Sequence, residues 1–191
     1  MTLPNILTIS RIILAVVIVG LLMSNSLMGN IAATLFFAIA ALTDFYDGYI
    51  AKKYGLVGDF GKIMDPIADK ILMIAVFGVL AYLGMIAWWM VIVIAVREIA
   101  VTASRLAAMR QGQILPAETA GKIKTAFQMG SVFVILIFLM AEQSAGARNW
   151  FYVIENNWRT LIDVLMVINM VLTVGSGAAY FWKKFNDESN S

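Results

Sequence analysis

The apolar residues of this chain fall into long blocks separated by short polar stretches, and each block approaches the length of a helix that crosses a bilayer. Such a helix needs roughly 20 residues at about 1.5 Å of rise each. By that ruler six spans fit: Ile6 to Met23, Leu27 to Asp47, Ile63 to Leu83, Ile86 to Ala108, Ala120 to Ala141 and Leu161 to Trp182. Between them lie Ser24-Asn25-Ser26, a polar stretch from Gly48 to Lys62, Gly84, Met109 to Thr119, and Glu142 to Thr160. No length is left over for a soluble domain. The expectation is an all-α integral membrane protein with six transmembrane helices, forming one membrane domain over residues 1–191.

Composition sharpens this picture. With 61% apolar and only 14% charged residues, the chain has more apolar surface than a single soluble core can bury, so lipid is its main solvent. The amino-terminal run has the look of a signal peptide, but Arg11 lies at its edge and no small-residue cleavage site leads into a soluble domain, so it reads as a retained first span. There is no cysteine and no histidine, which excludes disulfides, zinc fingers, thiolate nucleophiles and any histidine acid or base. Any metal must be held by oxygen. A net charge of +2, dispersed along the chain without a basic, aromatic-interleaved run, excludes nucleic acid as a partner.

Lysine and arginine set the expected orientation. Arg11, the stretch with Lys52, Lys53 and Lys62, the stretch with Arg110 and Lys122, and the tail Lys183-Lys184 all fall on one side, which the positive-inside rule makes cytosolic. Both termini are then cytosolic. Trp88, Trp89, Trp150 and Trp158 suit the opposite interface.

Three of the spans are too short unless charged residues belong to them. The uninterrupted apolar run Ile71 to Leu83 has 13 residues, and so does Ile31 to Thr43, whereas a hydrocarbon core of about 30 Å needs more. Asp65, Asp69 and Lys70 must therefore lie within the third span, Asp44 within the second, and Arg97-Glu98 within the fourth. A charge near the bilayer centre costs roughly 2.5–3.5 kcal/mol on insertion scales, so these groups are expected to face an interior, water-accessible cavity.

Asp44 and Asp47 are three apart and Asp65 and Asp69 four apart, so on helices each pair projects from one face. Four like charges at close quarters repel or take up protons unless a cation neutralises them. Carboxylate-only ligation selects hard ions, Mg²⁺, Mn²⁺ or Ca²⁺, and Mg²⁺ in particular works with a few carboxylates plus substrate phosphates. A phosphorylated substrate follows. Gly48 lets a ligand approach the backbone, and Lys52 can meet a phosphate.

The string Asp44-x2-Asp47-Gly48-x2-Ala51-Lys52-x8-Gly61-x3-Asp65-x3-Asp69 resembles the motif of the CDP-alcohol phosphotransferases, membrane enzymes that displace CMP from a CDP-linked lipid or alcohol with a second alcohol. One position departs from the family pattern: lysine stands at 52 where arginine is usual, which keeps the charge and loses the bidentate fork. The resemblance implies Asp44, Asp47, Asp65 and Asp69 as ligands of two Mg²⁺ or Mn²⁺ ions, with Asp69 also the general base. It implies that Gly48, Lys52 and Gly58 line the cytidine-diphosphate site. A chain without histidine or cysteine has mainly carboxylates with which to deprotonate an alcohol, which agrees about the base.

Further segments are similar to those of bacterial phosphatidylglycerophosphate synthases. Asn5, Thr8 and Arg11 form a polar stripe at intervals of three, in an Asn-x-Leu-Thr-x-x-Arg opening that assigns Asn5 and Thr8 to the CDP-diacylglycerol site. Arg97-Glu98-Ile99 and Gly121-Lys122-Ile123-Lys124-Thr125-x2-Gln128 resemble internal motifs of the same enzymes. Arg97 lies too deep to be a topology charge, and either Glu98 or a cavity phosphate makes its burial tolerable. Arg97, Arg105, Arg110, Lys122 and Lys124 are candidates to grip the acceptor phosphate, although the positive-inside rule accounts for several of them equally well.

The resemblance therefore implies transfer of a phosphatidyl group from CDP-diacylglycerol to sn-glycerol 3-phosphate, releasing CMP. The setting implied is a homodimer in the cytoplasmic (inner) membrane with its active site facing the cytosol. The alternatives are a sister enzyme with another acceptor, phosphatidylglycerol or inositol phosphate, and a divalent-cation transporter using the same aspartates.

Overall fold

The computed structural model describes the backbone of residues 3–54, 59–110, 119–145 and 149–189. Within these it describes the side chains of residues 9–43, 67–108, 121, 123–144, 157–182 and 185–186. Six helices make up this backbone: α1 (Leu3–Met23), α2 (Leu27–Tyr54), α3 (Asp59–Tyr82), α4 (Trp88–Arg110), α5 (Thr119–Ala145) and α6 (Asn149–Ser189).

The sharp breaks between helices have local causes. Asn25, with φ of 46°, takes the left-handed conformation that ends a helix, and its amide donates to the Leu22 carbonyl at 3.1 Å. Ser26 then caps α2, its Oγ accepting from the Gly29 amide at 3.0 Å. Gly84, with φ of 74°, ends α3: its amide donates to Ala81 at 3.0 Å and that of Met85 to Leu80 at 2.9 Å. This pair of bonds is the Schellman arrangement, which needs a residue free to adopt positive φ.

Among the described residues, α1 packs on α2 and α3, α3 on α4, α4 on α6, α6 on α5 and α5 on α2. The six helices close into a ring in the order α1, α2, α5, α6, α4, α3, with α1 between α2 and α3. Gln143, near the end of α5, donates to Asn25 in the turn between α1 and α2 at 2.8 Å, as expected for helices running alternately up and down. The carboxyl end of α2 and the amino end of α3 therefore share the opposite end of the bundle. The apolar interior includes Ile18, Leu22, Phe37, Phe77, Leu80, Ile94, Leu136, Phe138 and Met166, with Phe37 edge-on to Phe133 at 5.1 Å between ring centroids.

Polarity is distributed inside out. Arg11, Asn30, Glu98, Lys124, Gln128, Ser131, Asn169 and Thr173 are buried, while Ile13, Val16, Leu35, Ile92, Val96, Val171 and Val174 stand exposed along the outer faces. Water would penalise such a surface and hydrocarbon does not. Among the described residues, two segments, Ile123–Ser144 and Asn157–Trp182, are long and apolar enough by length and composition to cross a membrane. Ile9–Met23 and Leu27–Thr43 are shorter apolar helices. Asp69, Lys70, Arg97 and Glu98 interrupt the apolar character of α3 and α4, as the short runs in the sequence require.

Helix ends differ from the sequence expectation where the chain turns polar. α2 continues to Tyr54 rather than stopping near Asp47, and α6 runs from Asn149 to Ser189 rather than from Leu161 to Trp182. Apolar length measures what fits in hydrocarbon, whereas backbone hydrogen bonding continues through polar residues until something stops it. Residues 149–189 contain no proline to do so.

Candidate active site

Asp44 and Asp47 lie in the second half of α2, and Asp65 and Asp69 in the first half of α3. Asp44 is ten residues before Tyr54 and Asp69 ten after Asp59, so each sits about 15 Å along its helix from the link between the two. Asp47 and Asp65, seven and six residues from the same ends, sit at about 10 Å. The two pairs thus occupy matched levels on helices that both flank α1. The side chains of Asp44, Asp47 and Asp65 lie outside the described residues. Among the described residues no group of three metal donors is gathered.

Asp69 does have a described side chain. Its Oδ1 accepts from Nη1 of Arg11, which reaches across from α1. Arg11 is almost fully buried, whereas 35% of the Asp69 side chain stays accessible. Arg11 thus holds the aspartate while part of its side chain stays accessible. The chemistry of the donor set, carboxylates alone at two matched levels, fits a hard divalent ion.

Beside Asp69 lies a cavity of about 80 Å³ whose polar lining is Arg11, Asp69, Lys70, Glu98, Thr125 and Gln128, backed by Phe77 and Ile94. Glu98 is the hub of a charge cluster on its inner side. Its Oε1 accepts from Lys124 Nζ of α5 and, at 3.1 Å, from Arg97 Nη1, while its Oε2 lies 2.7 Å from Lys70 Nζ of α3. The Lys70 contact is an ion pair that links α3 to α4. Arg97 also donates from Nη2 to Ser176 Oγ on α6 at 2.7 Å, and it packs against Gly177, where a methyl group would come within 3.0 Å of its Nε.

The candidate acceptor residues therefore separate. Arg97 and Lys124 come together on Glu98, with Lys124 only 2% accessible, and neither lines the cavity. Arg105 lies elsewhere, its guanidinium 5.4 Å from the centroid of the Tyr180 ring. The side chains of Arg110 and Lys122 lie outside the described residues, as do those of Asn5, Thr8, Gly48 and Lys52, whose backbones belong to α1 and α2. Gly58 lies outside the described backbone altogether. Sequence reasoning paired Glu98 with Arg97 but missed Lys70 and Lys124 as its partners. The available signal was that one carboxylate within a span cannot neutralise the lysines of two neighbouring spans separately.

The chain belongs to the CDP-alcohol phosphatidyltransferase family, whose model matches residues 1–176. It is accordingly a membrane-embedded transferase. Among its relatives is the CDP-diacylglycerol--glycerol-3-phosphate 3-phosphatidyltransferase of Bacillus subtilis, 32% identical over 96% of this chain and 95% of the relative. The enzyme of the same name from Rickettsia felis is 35% identical over 94% of this chain and 93% of the relative. A probable phosphatidylglycerophosphate synthase of Mycobacterium tuberculosis is 32% identical, covering 97% of this chain and 82% of the relative.

Proposed function

We propose that this chain transfers the phosphatidyl group of CDP-diacylglycerol to sn-glycerol 3-phosphate, giving phosphatidylglycerophosphate and CMP. The similarity over nearly the whole chain to relatives named for that reaction carries the choice of acceptor. The aspartate spacing on α2 and α3 supports the chemistry. The cation-transport alternative goes no further, because the family is one of transferases.

Asp44, Asp47, Asp65 and Asp69 would hold Mg²⁺ or Mn²⁺. When bound, such ions polarise the pyrophosphate and stabilise the departing CMP. Asp69 accepts the proton of the acceptor hydroxyl. The freed oxygen attacks the phosphorus that carries diacylglycerol, the new P–O bond forms, and the bond from that phosphorus to the oxygen of CMP breaks. Arg11 keeps the Asp69 carboxylate in one orientation during this exchange. Gly48, Lys52 and Gly58, with Asn5 and Thr8, receive the nucleotide part of CDP-diacylglycerol. Of the candidate acceptor residues, Arg110 and Lys122 supply positive surroundings for the acceptor phosphate, whereas Arg97 and Lys124 act through Glu98 and Arg105 lies against Tyr180.

The setting is six transmembrane helices with both termini and the active site on the cytosolic side, assembled as a homodimer in the cytoplasmic membrane. The excess of Lys and Arg at the end of the bundle that carries the aspartates supports this orientation. An acceptor screen on the purified chain with CDP-diacylglycerol and Mg²⁺ tests the activity. CMP release with sn-glycerol 3-phosphate is expected, and release only with inositol phosphate or phosphatidylglycerol would move the chain to a sister activity.

A further inference from the structure

Lys70 has no assigned part in the transfer, yet it lines the cavity with Asp69, and the other cation there, Arg11, is bonded to Asp69 itself. It follows Asp69 directly in α3, its side chain is 25% accessible, and its Nζ lies 2.7 Å from Glu98 Oε2. Glu98 is 4% accessible and meets two further cations: Lys124 behind it, and Arg97, which is itself tied to α6 through Ser176. Among the described residues one carboxylate therefore faces three positive groups, while the adjacent Arg11 pairs with Asp69. Within a bilayer an excess of buried positive charge is costly, and an arriving anion relieves it. Arg97 and Lys124 do not line the cavity, so Lys70 is the group through which that excess reaches a ligand. A lysine side chain is long and mobile unless something aims it, and the carboxylate of Glu98 does so.

We infer that Glu98 is a positioning residue that fixes Lys70 at the cavity beside Asp69, where the Lys70 ammonium receives the phosphate of a phosphomonoester acceptor. This rests on the glycerol 3-phosphate reading for the identity of the acceptor, but not for the contact itself. Lys70 joins the acceptor site as the group that brings phosphate within reach of Asp69. Lys124 contributes from behind, as counter-charge to Glu98.

The test has two arms on the full-length chain in detergent micelles. Equilibrium dialysis follows labelled sn-glycerol 3-phosphate and inorganic phosphate, and steady-state kinetics vary each substrate in turn. Lys70→Met should weaken binding of both probes and raise the acceptor KM by about tenfold, the size expected for one lost charge-assisted contact, while the KM for CDP-diacylglycerol moves little. Lys70→Arg should recover most of the loss. Glu98→Gln should reproduce the acceptor defect, and the double variant Glu98→Gln with Lys124→Met should keep it. A double variant that regains the parent acceptor KM would show that Glu98 serves only to neutralise Lys124, and would overturn the inference. Should Glu98→Gln fail to accumulate, Glu98→Asp carries the same test, since it retracts the carboxylate from Lys70 while keeping the charge. Unaltered phosphate binding in Lys70→Met overturns the inference even if the parent chain turns over glycerol 3-phosphate. Lys70-dependent phosphate binding without CMP release from that acceptor sinks the proposed reaction instead.

Discussion

The Asp69 carboxylate is gripped by Arg11 from a neighbouring helix, while about a third of its side-chain surface stays open to the cavity. A group in that position can accept a proton without reorienting. Asp69→Asn preserves shape and removes that capacity, so CMP release should fall by about 10²–10⁴-fold, the usual contribution of a positioned general base. Activity near the parent level would rule out the base assignment. Gly177 makes a different demand, because a methyl group there would meet Arg97 at 3.0 Å from Nε and 3.2 Å from Cγ. Arg97 is held at Glu98 and at Ser176 and has little room to yield. Gly177→Ala should therefore destabilise the fold by about 1–3 kcal/mol, measurable by thermal unfolding in detergent. Asp69 stood out in the sequence because four aspartates share helical spacings within spans that are too short without them. Lys70, Glu98 and Lys124 are distant in sequence on three helices, and no local pattern announces that they meet.

At the scale of elements, α6 presents Asn169, Thr173 and Ser176 along one buried face. Asn169 donates to Ser131 at 2.8 Å, Thr173 accepts from Gln128 at 3.2 Å, and Ser176 meets Arg97 at 2.7 Å. These bonds fasten α6 to α5 and α4, where apolar packing alone has no water to drive it. Asn169→Leu should cost about 0.6 kcal/mol, the average found for such bonds in membranes, with an upper end of about 1.7 kcal/mol. Adding Ser131→Ala should recover part of that loss, because no partner is then left unsatisfied; equal stability of single and double variants would count against the bond. Apolar length located all six helices, since lipid enforces it. It did not locate the ends of α2 and α6, because hydrocarbon stops selecting at the interface while the helix itself continues. Asp163, another polar residue of α6, is exposed where Asn169 is buried, a distinction that depends on how α6 is rotated against α5.

At the scale of the whole molecule, the ring order places α1 between the two aspartate-bearing helices, and Arg11 joins it to one of them. α1 has 21 residues, or about 32 Å of helix, close to the roughly 30 Å of hydrocarbon in a bilayer. α6 has 41 residues, or about 62 Å, and can slide or tilt without losing contact with either interface. A change in bilayer thickness therefore acts on α1 first. The helix under strain is the one whose arginine orients Asp69. Turnover in reconstituted vesicles should pass through a maximum as the acyl chains of the host lipid are lengthened, and a flat profile would show that α1 does not transmit the mismatch. An enzyme that makes lipid headgroups would in that way register the acyl composition of the membrane around it, with the length of one helix as its gauge.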